Sequence, residues 1–317
     1  MVQKGLVVKS TGSWYTVEGE NGNFYDCKIK GNFRIKGIKS TNPVAVGDWV
    51  DFIAESSSQD ENQKKIGLIT SIYDRKNYIV RRSQNLSKQS HVIAANIDQA
   101  LLVVTLAHPF TSTTFIDRYL ATAEAYTIPA VIIFNKTDIY SAEQNKILES
   151  LINTYDKIGY KCITTSAKTL HGLDMLKEGI KKKINVISGH SGVGKSTIIN
   201  ILEKDLKLKT AEISELHKTG KHTTTYTTLY KLYFGGYIID TPGIKGFGML
   251  DMEPWEISHY FKEIFIYSQN CQYNNCSHTH EPGCAVKEAL QNGKIAESRY
   301  ISYLGLLEKD DKYRKPY

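Results

Sequence analysis

The 317-residue chain has no apolar run near the ~18 residues that a membrane span needs. Its start, Met1 to Lys9, holds too short an apolar stretch for a secretory signal and no small-residue cleavage site. Heptads and internal repeats are missing, so nothing points to self-assembly and a monomer is expected. Cysteine is scarce. Of five, Cys271, Cys276 and Cys284 crowd into fourteen residues, while Cys27 and Cys162 stand alone. That distribution suits a metal site in a reducing compartment better than a disulfide framework, and a cytoplasmic protein without a membrane partner is expected. Acidic residues are in the minority, 33 against 40 Lys and Arg, for a net charge of +7. Such an excess fits a polyanionic partner, and fits equally an even spread of lysines over a solvated surface.

The chain is organised around Gly189, His190, Ser191, Gly192, Val193, Gly194, Lys195, Ser196 and Thr197. The apolar run Ile184 to Ile187 before it reads as a buried strand, and Thr197 to Leu202 after it reads as a helix. Strand, glycine loop and helix form a nucleotide-phosphate site: backbone N–H groups turn inward and the helix N-terminus adds partial positive charge. Lys195 supplies a point charge for the β- and γ-phosphates, and Ser196 a hydroxyl for Mg²⁺.

Length and 41% apolar content suit two or three domains with real cores. Up to about residue 85, five stretches alternate apolar and polar residues, near 5–9, 14–18, 24–29, 48–53 and 66–72, with turn residues between them. They predict a small β-barrel of the oligonucleotide-binding (OB-fold) type over 1–85. Residues 1–90 hold fourteen Lys and Arg against nine Asp and Glu. Trp14, Tyr15, Phe24, Tyr25 and Phe33 lie among these cations, either as stacking faces for RNA or as barrel core. Arg81, Arg82 and the polar run to Ser90 read as a linker.

From Ile97 strands alternate with helices, which predicts a parallel sheet covered on both faces, an α/β domain over 91–250. Asn135, Lys136, Thr137 and Asp138 close the strand 130–134. A carboxylate there accepts from the N1–H and exocyclic amine of guanine, a donor pair that adenine lacks. Lys136 lays its stem on the ring. Ser166, Ala167 and Lys168 follow the next strand and offer a backbone N–H to guanine O6. Asp240 and Gly243 close the strand at 237–239, the first for Mg²⁺ through water, the second for the γ-phosphate. Between them, Thr219 to Thr225 offers further threonines for Mg²⁺.

This set resembles that of the GTPase superfamily, but the base-reading motifs precede the phosphate loop. Elements of a parallel sheet pack by position, so joined termini and an opened loop leave the site intact. The fold is therefore expected to hold a circularly permuted P-loop GTPase domain. At the end of the chain, Cys271-x₄-Cys276-x-His278-x₅-Cys284 offers three thiolates and an imidazole, tetrahedral zinc chemistry with no position left for water. His280 competes with His278 for the fourth place. Residues 251–317 form a helical segment too short for its own core, so Zn²⁺ is expected to stabilise it.

With barrel, permuted motifs and cysteine cluster, the chain resembles the RsgA/YjeQ family of small-ribosomal-subunit-dependent GTPases over nearly its whole length. The resemblance implies binding of GTP and GDP, activation by the small ribosomal subunit, contact with its ribosomal RNA, and a role in late maturation. It also favours His278 over His280. After Gly243 many GTPases carry a glutamine that orients the attacking water; here Ile244 stands in that place. His222 is the candidate replacement, an imidazole able to accept from water near neutral pH; the other reading is contact with RNA or solvent. Two other functions fit the motifs: a GTP-controlled RNA-binding module, and a signalling GTPase with a protein partner.

Overall fold

The computed structural model describes residues 2–29, 43–55, 65–82, 90–203, 227–240 and 252–313. The chain divides into two compact units. One comprises Met1–Gln99, Glu178–Ile187 and Glu203–Gly246; the other comprises Ala100–Lys177, Ser188–Leu202 and Phe247–Tyr317.

In the first unit the expected barrel is present. Its strands are β1 (Val2–Ser10), β2 (Tyr15–Gly19), β3 (Phe24–Ile29), β4 (Trp49–Ala54) and β5 (Ile66–Ile72). β1 pairs antiparallel with both β2 and β4, β2 with β3, and β4 with β5, while β3 and β5 run parallel, so the five close on themselves. Side chains alternate across each strand. Tyr15, Val17, Tyr25, Cys27, Val50, Phe52 and Ile69 face the core. Trp14 and Phe24, one residue out of phase, are 39% and 52% exposed. The core reading holds for Tyr15 and Tyr25, while Trp14 and Phe24 face outward; Phe33 lies outside the described residues.

The stretch around Arg81 and Arg82 is not merely a linker. β6 (Tyr78–Arg82) and β7 (Ser90–Ala95) form an antiparallel hairpin, with buried Ile79 opposite Ala94. Two arginines at the end of a five-residue strand hide the alternation that marks longer strands.

The second unit carries a parallel sheet of β8 (Gln99–Val104), β9 (Ala130–Phe134) and β10 (Lys161–Thr164). Its helices include α1 (Thr113–Ala125), α2 (Ala142–Ile158) and α4 (Lys195–Leu202), with α3 (Leu173–Ile180) crossing between the units. Ser141 caps α2 reciprocally with Gln144, and Gly159 ends it in a left-handed conformation. β11 (Ile184–Ser188) runs into the phosphate loop; in the first unit it pairs parallel with β13 (Tyr237–Asp240), which pairs antiparallel with β12 (Thr228–Lys231).

The C-terminal segment is helical as expected, but in shorter pieces than the patterning of 253–267 and 285–307 suggests. They are α5 (Pro254–Ile257), α6 (Lys262–Ser268), α7 (Ala285–Gln291) and α8 (Glu297–Tyr313). Phe261 breaks the first run at φ −106°, ψ 98°, placing its ring edge-on to Tyr303 in the core. A turn at Asn292 and Gly293 breaks the second and lets Ile295 enter the same core. That core includes Ala121 of α1. Beside it lies a buried cluster of charges. Arg299 donates through Nε and Nη2 to Glu263 (2.6 and 3.1 Å) and through Nη1 to Asp117 of α1 (2.9 Å). Tyr155 donates to the same Asp117 oxygen at 2.8 Å. Burial pushes the Asp117 carboxyl up, and the Arg299 cation opposes it.

Candidate nucleotide and metal sites

The base-reading motif and the phosphate loop are tied together by one buried side chain. Asn135 donates from Nδ2 to the Val193 carbonyl at 2.8 Å and accepts at Oδ1 from Thr165 at 3.1 Å. Its backbone N–H meets the Val104 carbonyl at 2.9 Å, and its carbonyl accepts from the Tyr140 hydroxyl at 2.7 Å. Tyr140 in turn accepts from the Leu106 N–H at 2.9 Å. Loops after four strands, β8 to β11, are thereby fixed by neutral hydrogen bonds. β8, β9 and β10 run parallel and each ends where its apolar run ends, which puts their three loops at one edge of the sheet.

Asp138 accepts from the Ser166 hydroxyl at 2.6 Å and remains exposed. The Ser166 hydroxyl also accepts from the Thr169 N–H, and Thr137 donates to the Thr165 carbonyl. The carboxylate is thus oriented before any base arrives. Lys136, at φ 63°, donates to the His108 carbonyl at 2.6 Å. Ala167 is half-buried and Lys168 exposed beside them.

The phosphate loop depends on two glycines. Gly189 and Gly194 hold φ of 142° and 99°, and a Cβ would collide with the Val103 carbonyl at the first and the Asn135 amide at the second. Val193 is buried, while His190, Ser191 and Gly192 are exposed. Lys195 donates to the Gly189 and His190 carbonyls, both at 2.7 Å, and burial lowers its ammonium pKa. Ser196 is buried at the start of α4 and Thr197 exposed. His190 lies on Phe115 of α1 with ring centroids 3.9 Å apart, and burial, followed by the Lys195 charge, lowers its pKa. The donor set fits a bound phosphate chain: a lysine held over glycine-rich backbone and a buried hydroxyl at a helix start.

Asp240 is the last residue of β13, its backbone opposite Thr228. His222 and Gly243 lie outside the described residues.

The metal ligands do converge. The donor atoms of Cys271, Cys276, His278 and Cys284 lie within 4.8 Å of one another. Cys271 Sγ and Cys284 Sγ are each 3.6 Å from His278 Nδ1. A tetrahedral ion with sulfur at ~2.3 Å and nitrogen at ~2.0 Å has a sulfur–nitrogen edge of about 3.5 Å, so the set fits a metal. His280 is exposed with its Nδ1 at the Thr279 hydroxyl, which removes it as the fourth ligand. Outer groups fix the loop. Glu281 accepts from the Ser277 hydroxyl and N–H and from the Thr279 and His280 N–H groups. Burial would raise this carboxyl, but the Ser277 hydroxyl and those N–H groups hold it down at about 2. Tyr300 and Tyr303 donate to the His278 and Ser277 carbonyls.

Sequence reasoning missed Tyr140, Thr165, Phe115 and Glu281. Thr165 directly precedes Ser166, and Glu281 lies inside the Cys cluster, so proximity marks both. Tyr140 and Phe115 carry no such signal.

The model of the RsgA GTPase family matches residues 72–250, and that of the RsgA N-terminal domain matches residues 4–60. The chain is 57% identical over 316 residues to the small ribosomal subunit biogenesis GTPase RsgA of Bacteroides fragilis, covering 99% of this chain and 100% of that one. It is 54% identical to the protein of that name from Flavobacterium johnsoniae, over 98% and 94% of the two chains. The crystal structure of YjeQ from Thermotoga maritima superposes with a TM-score of 0.77 at 38% identity, covering 98% of each chain. That of YloQ, described as a circularly permuted GTPase, gives 0.76 at 26% identity over 100% and 98%.

Proposed function

The chain belongs to the RsgA family of GTPases, and on that premise we propose that it is a GTP-hydrolysing factor that binds the small ribosomal subunit and assists its late maturation. Its turnover rises on that subunit, as the family resemblance implies. The observation that carries the reading is the hydrogen-bonded union, through Asn135, of a carboxylate suited to guanine with a loop suited to phosphate.

Asp138 reads the N1–H and exocyclic amine, Ser166 keeps that carboxylate in place, and Lys136 covers the ring. Lys195 exchanges its two carbonyl partners for phosphate oxygens. Ser196 and Asp240 hold Mg²⁺, which when bound offsets charge on the phosphates, and Gly243 offers its N–H to the γ-phosphate. His222 orients the attacking water when the chain is bound to the subunit. Zn²⁺ on Cys271, Cys276, His278 and Cys284 is structural. Residues 1–85 and 251–317 touch ribosomal RNA, with 91–250 as the switch between them. Outward aromatics paired with lysines suit such contact: Lys28 lies 4.4 Å over Trp14, and Lys4 lies 5.2 and 4.6 Å over Trp49 and Tyr73. The protein acts as a cytoplasmic monomer. Among the described residues no helix is long and apolar enough to cross a membrane.

The deciding experiment measures turnover of GTP and ATP by the full chain with and without purified small subunits. Hydrolysis of GTP alone, accelerated by subunits, is expected. Equal use of ATP, or indifference to subunits, overturns the reading. His222→Ala is expected to keep GTP affinity and lose the accelerated rate.

A further inference from the structure

A groove of about 400 Å³ opens on the metal cluster, lined by Cys271, Cys276 and His278 of that cluster and, beyond them, by Trp255, Tyr273, Asn274 and Asn275. Its lining contains no Asp, Glu, Lys or Arg. Trp255 is 67% exposed and Tyr273 44%, whereas Phe261 and Tyr303 of the same segment are buried in the core shared with Ala121 of α1. The exposed amides of Asn274 and Asn275 follow Tyr273 directly in the metal loop. Glu281 accepts from the loop, and Tyr300 and Tyr303 donate to it, at residues 277–279, and the Cys276 N–H donates to the Tyr273 carbonyl at 3.2 Å.

We propose that this groove receives one unstacked nucleobase of single-stranded or looped RNA. This deepens the function proposed above and rests on it. Flat aromatic faces give stacking area to any base, and neutral amides and hydroxyls match the donors and acceptors on a base edge. Other occupants fit worse. A phosphate calls for a cation, and the walls have none. An extended peptide calls for a free strand edge, and residues 252–313 contain only helices and turns. An amphipathic helix calls for apolar walls, and most of this lining is polar. The metal segment thereby reads a base, while phosphates fall to lysines elsewhere.

The test uses the full chain and a fluorescein-labelled single-stranded RNA ten-mer, alone and in a version lacking its bases. Trp255→Ala is expected to weaken binding to the intact RNA about tenfold and Trp255→Phe to restore most of it. Binding to the abasic RNA stays unchanged, as does the slope of log affinity against log salt. A lost phosphate contact would instead lower that slope by about 1. Metal content equal to wild type confirms the fold of each variant. Changing Asn274 and Asn275 together to Ala is expected to narrow the spread of affinities among homopolymer RNAs. Equal affinity of Trp255→Ala and wild type, a loss that persists on abasic RNA, or a reduced salt slope overturns the proposal. If that happens while small subunits still accelerate GTP turnover, the groove fails and the function stands. Wild type that neither binds RNA nor responds to subunits removes both.

Discussion

The nucleotide site and the seat of the C-terminal segment lie in the same unit and are held by opposite means. At the nucleotide site the buried connections are neutral: the Asn135 amide, the Tyr140 and Thr165 hydroxyls and backbone groups. Charged side chains there, Lys136, Asp138 and Lys195, stay at the accessible side where a ligand can use them. At the seat the charges themselves are buried, with Arg299 locked between Asp117 and Glu263. A neutral hydrogen bond contributes a net ~0.5–1.5 kcal/mol and can be exchanged as loops adjust to a ligand. A buried ion cluster that loses one member costs ~3–5 kcal/mol, so its partners are not interchangeable. The first design suits a site that must change partners, the second an anchor that must not.

The strongest way to break this contrast is Arg299→Met. Two carboxylates are left buried without their cation, and a loss of ~3–5 kcal/mol in unfolding free energy is expected, read by thermal or denaturant unfolding. Replacing Arg299, Asp117 and Glu263 together by apolar residues of similar volume is expected to recover most of that loss. A small effect of the single change would show that the cluster is not the anchor. Next in size is Lys195→Ala, which removes a cation held over the loop backbone. A fall of about 10²–10³ in kcat is expected, with unfolding little altered because the lysine's partners are carbonyls that water can satisfy. Steady-state kinetics beside a melting curve separates the two outcomes.

The same contrast explains what could be read before the structure. The barrel strands, the parallel strands and the phosphate loop were legible, because alternation, unbroken apolar runs and glycine spacing are local signals. The Cys and His cluster was legible from spacing, and the structure brings His278, not His280, to the three sulfurs. Arg299 was not legible. Its partners lie 36 and 182 positions away, and an arginine on a helix ordinarily faces water. Tyr140 was hidden because its role depends on the loop after β8, and the breaks at Phe261 and Gly293 because tertiary packing overrode helical periodicity. Hairpin β6–β7 was missed because its alternation is too short.

The metal loop gives a third test, intermediate in size. Glu281 touches no metal ligand directly, yet it gathers three backbone N–H groups of the loop. Glu281→Ala is expected to weaken metal retention about 10–100-fold against a competing chelator, the usual cost of losing an outer-layer partner. The sign of its pH dependence follows from a depressed carboxyl. Its contribution is in place above the ordinary carboxylate range and is lost only as pH falls through about 2. The difference between wild type and variant should therefore be the same at pH 5 as at pH 8. A difference that vanishes by pH 5 would mean that the N–H groups do not hold the carboxylate.

The smallest effect sharpens the comparison most, because α1 belongs to both regions. Phe115 near its start stacks on His190 of the phosphate loop, and Asp117, two residues on, enters the ion cluster. An aromatic pair contributes ~0.5–1.5 kcal/mol beyond its buried area, so Phe115→Leu is expected to weaken GTP binding roughly two- to tenfold. It should barely move the melting temperature, since Phe115 is only half-buried. If the cluster fixes α1 as an anchor, the loop moves against a stationary helix. The effects of Phe115→Leu and Arg299→Met on GTP affinity should then add to within ~0.5 kcal/mol in a double-mutant cycle. A larger coupling term would mean that α1 carries the nucleotide state to the metal segment. The buried charges would then be part of the switch they are here taken to hold still.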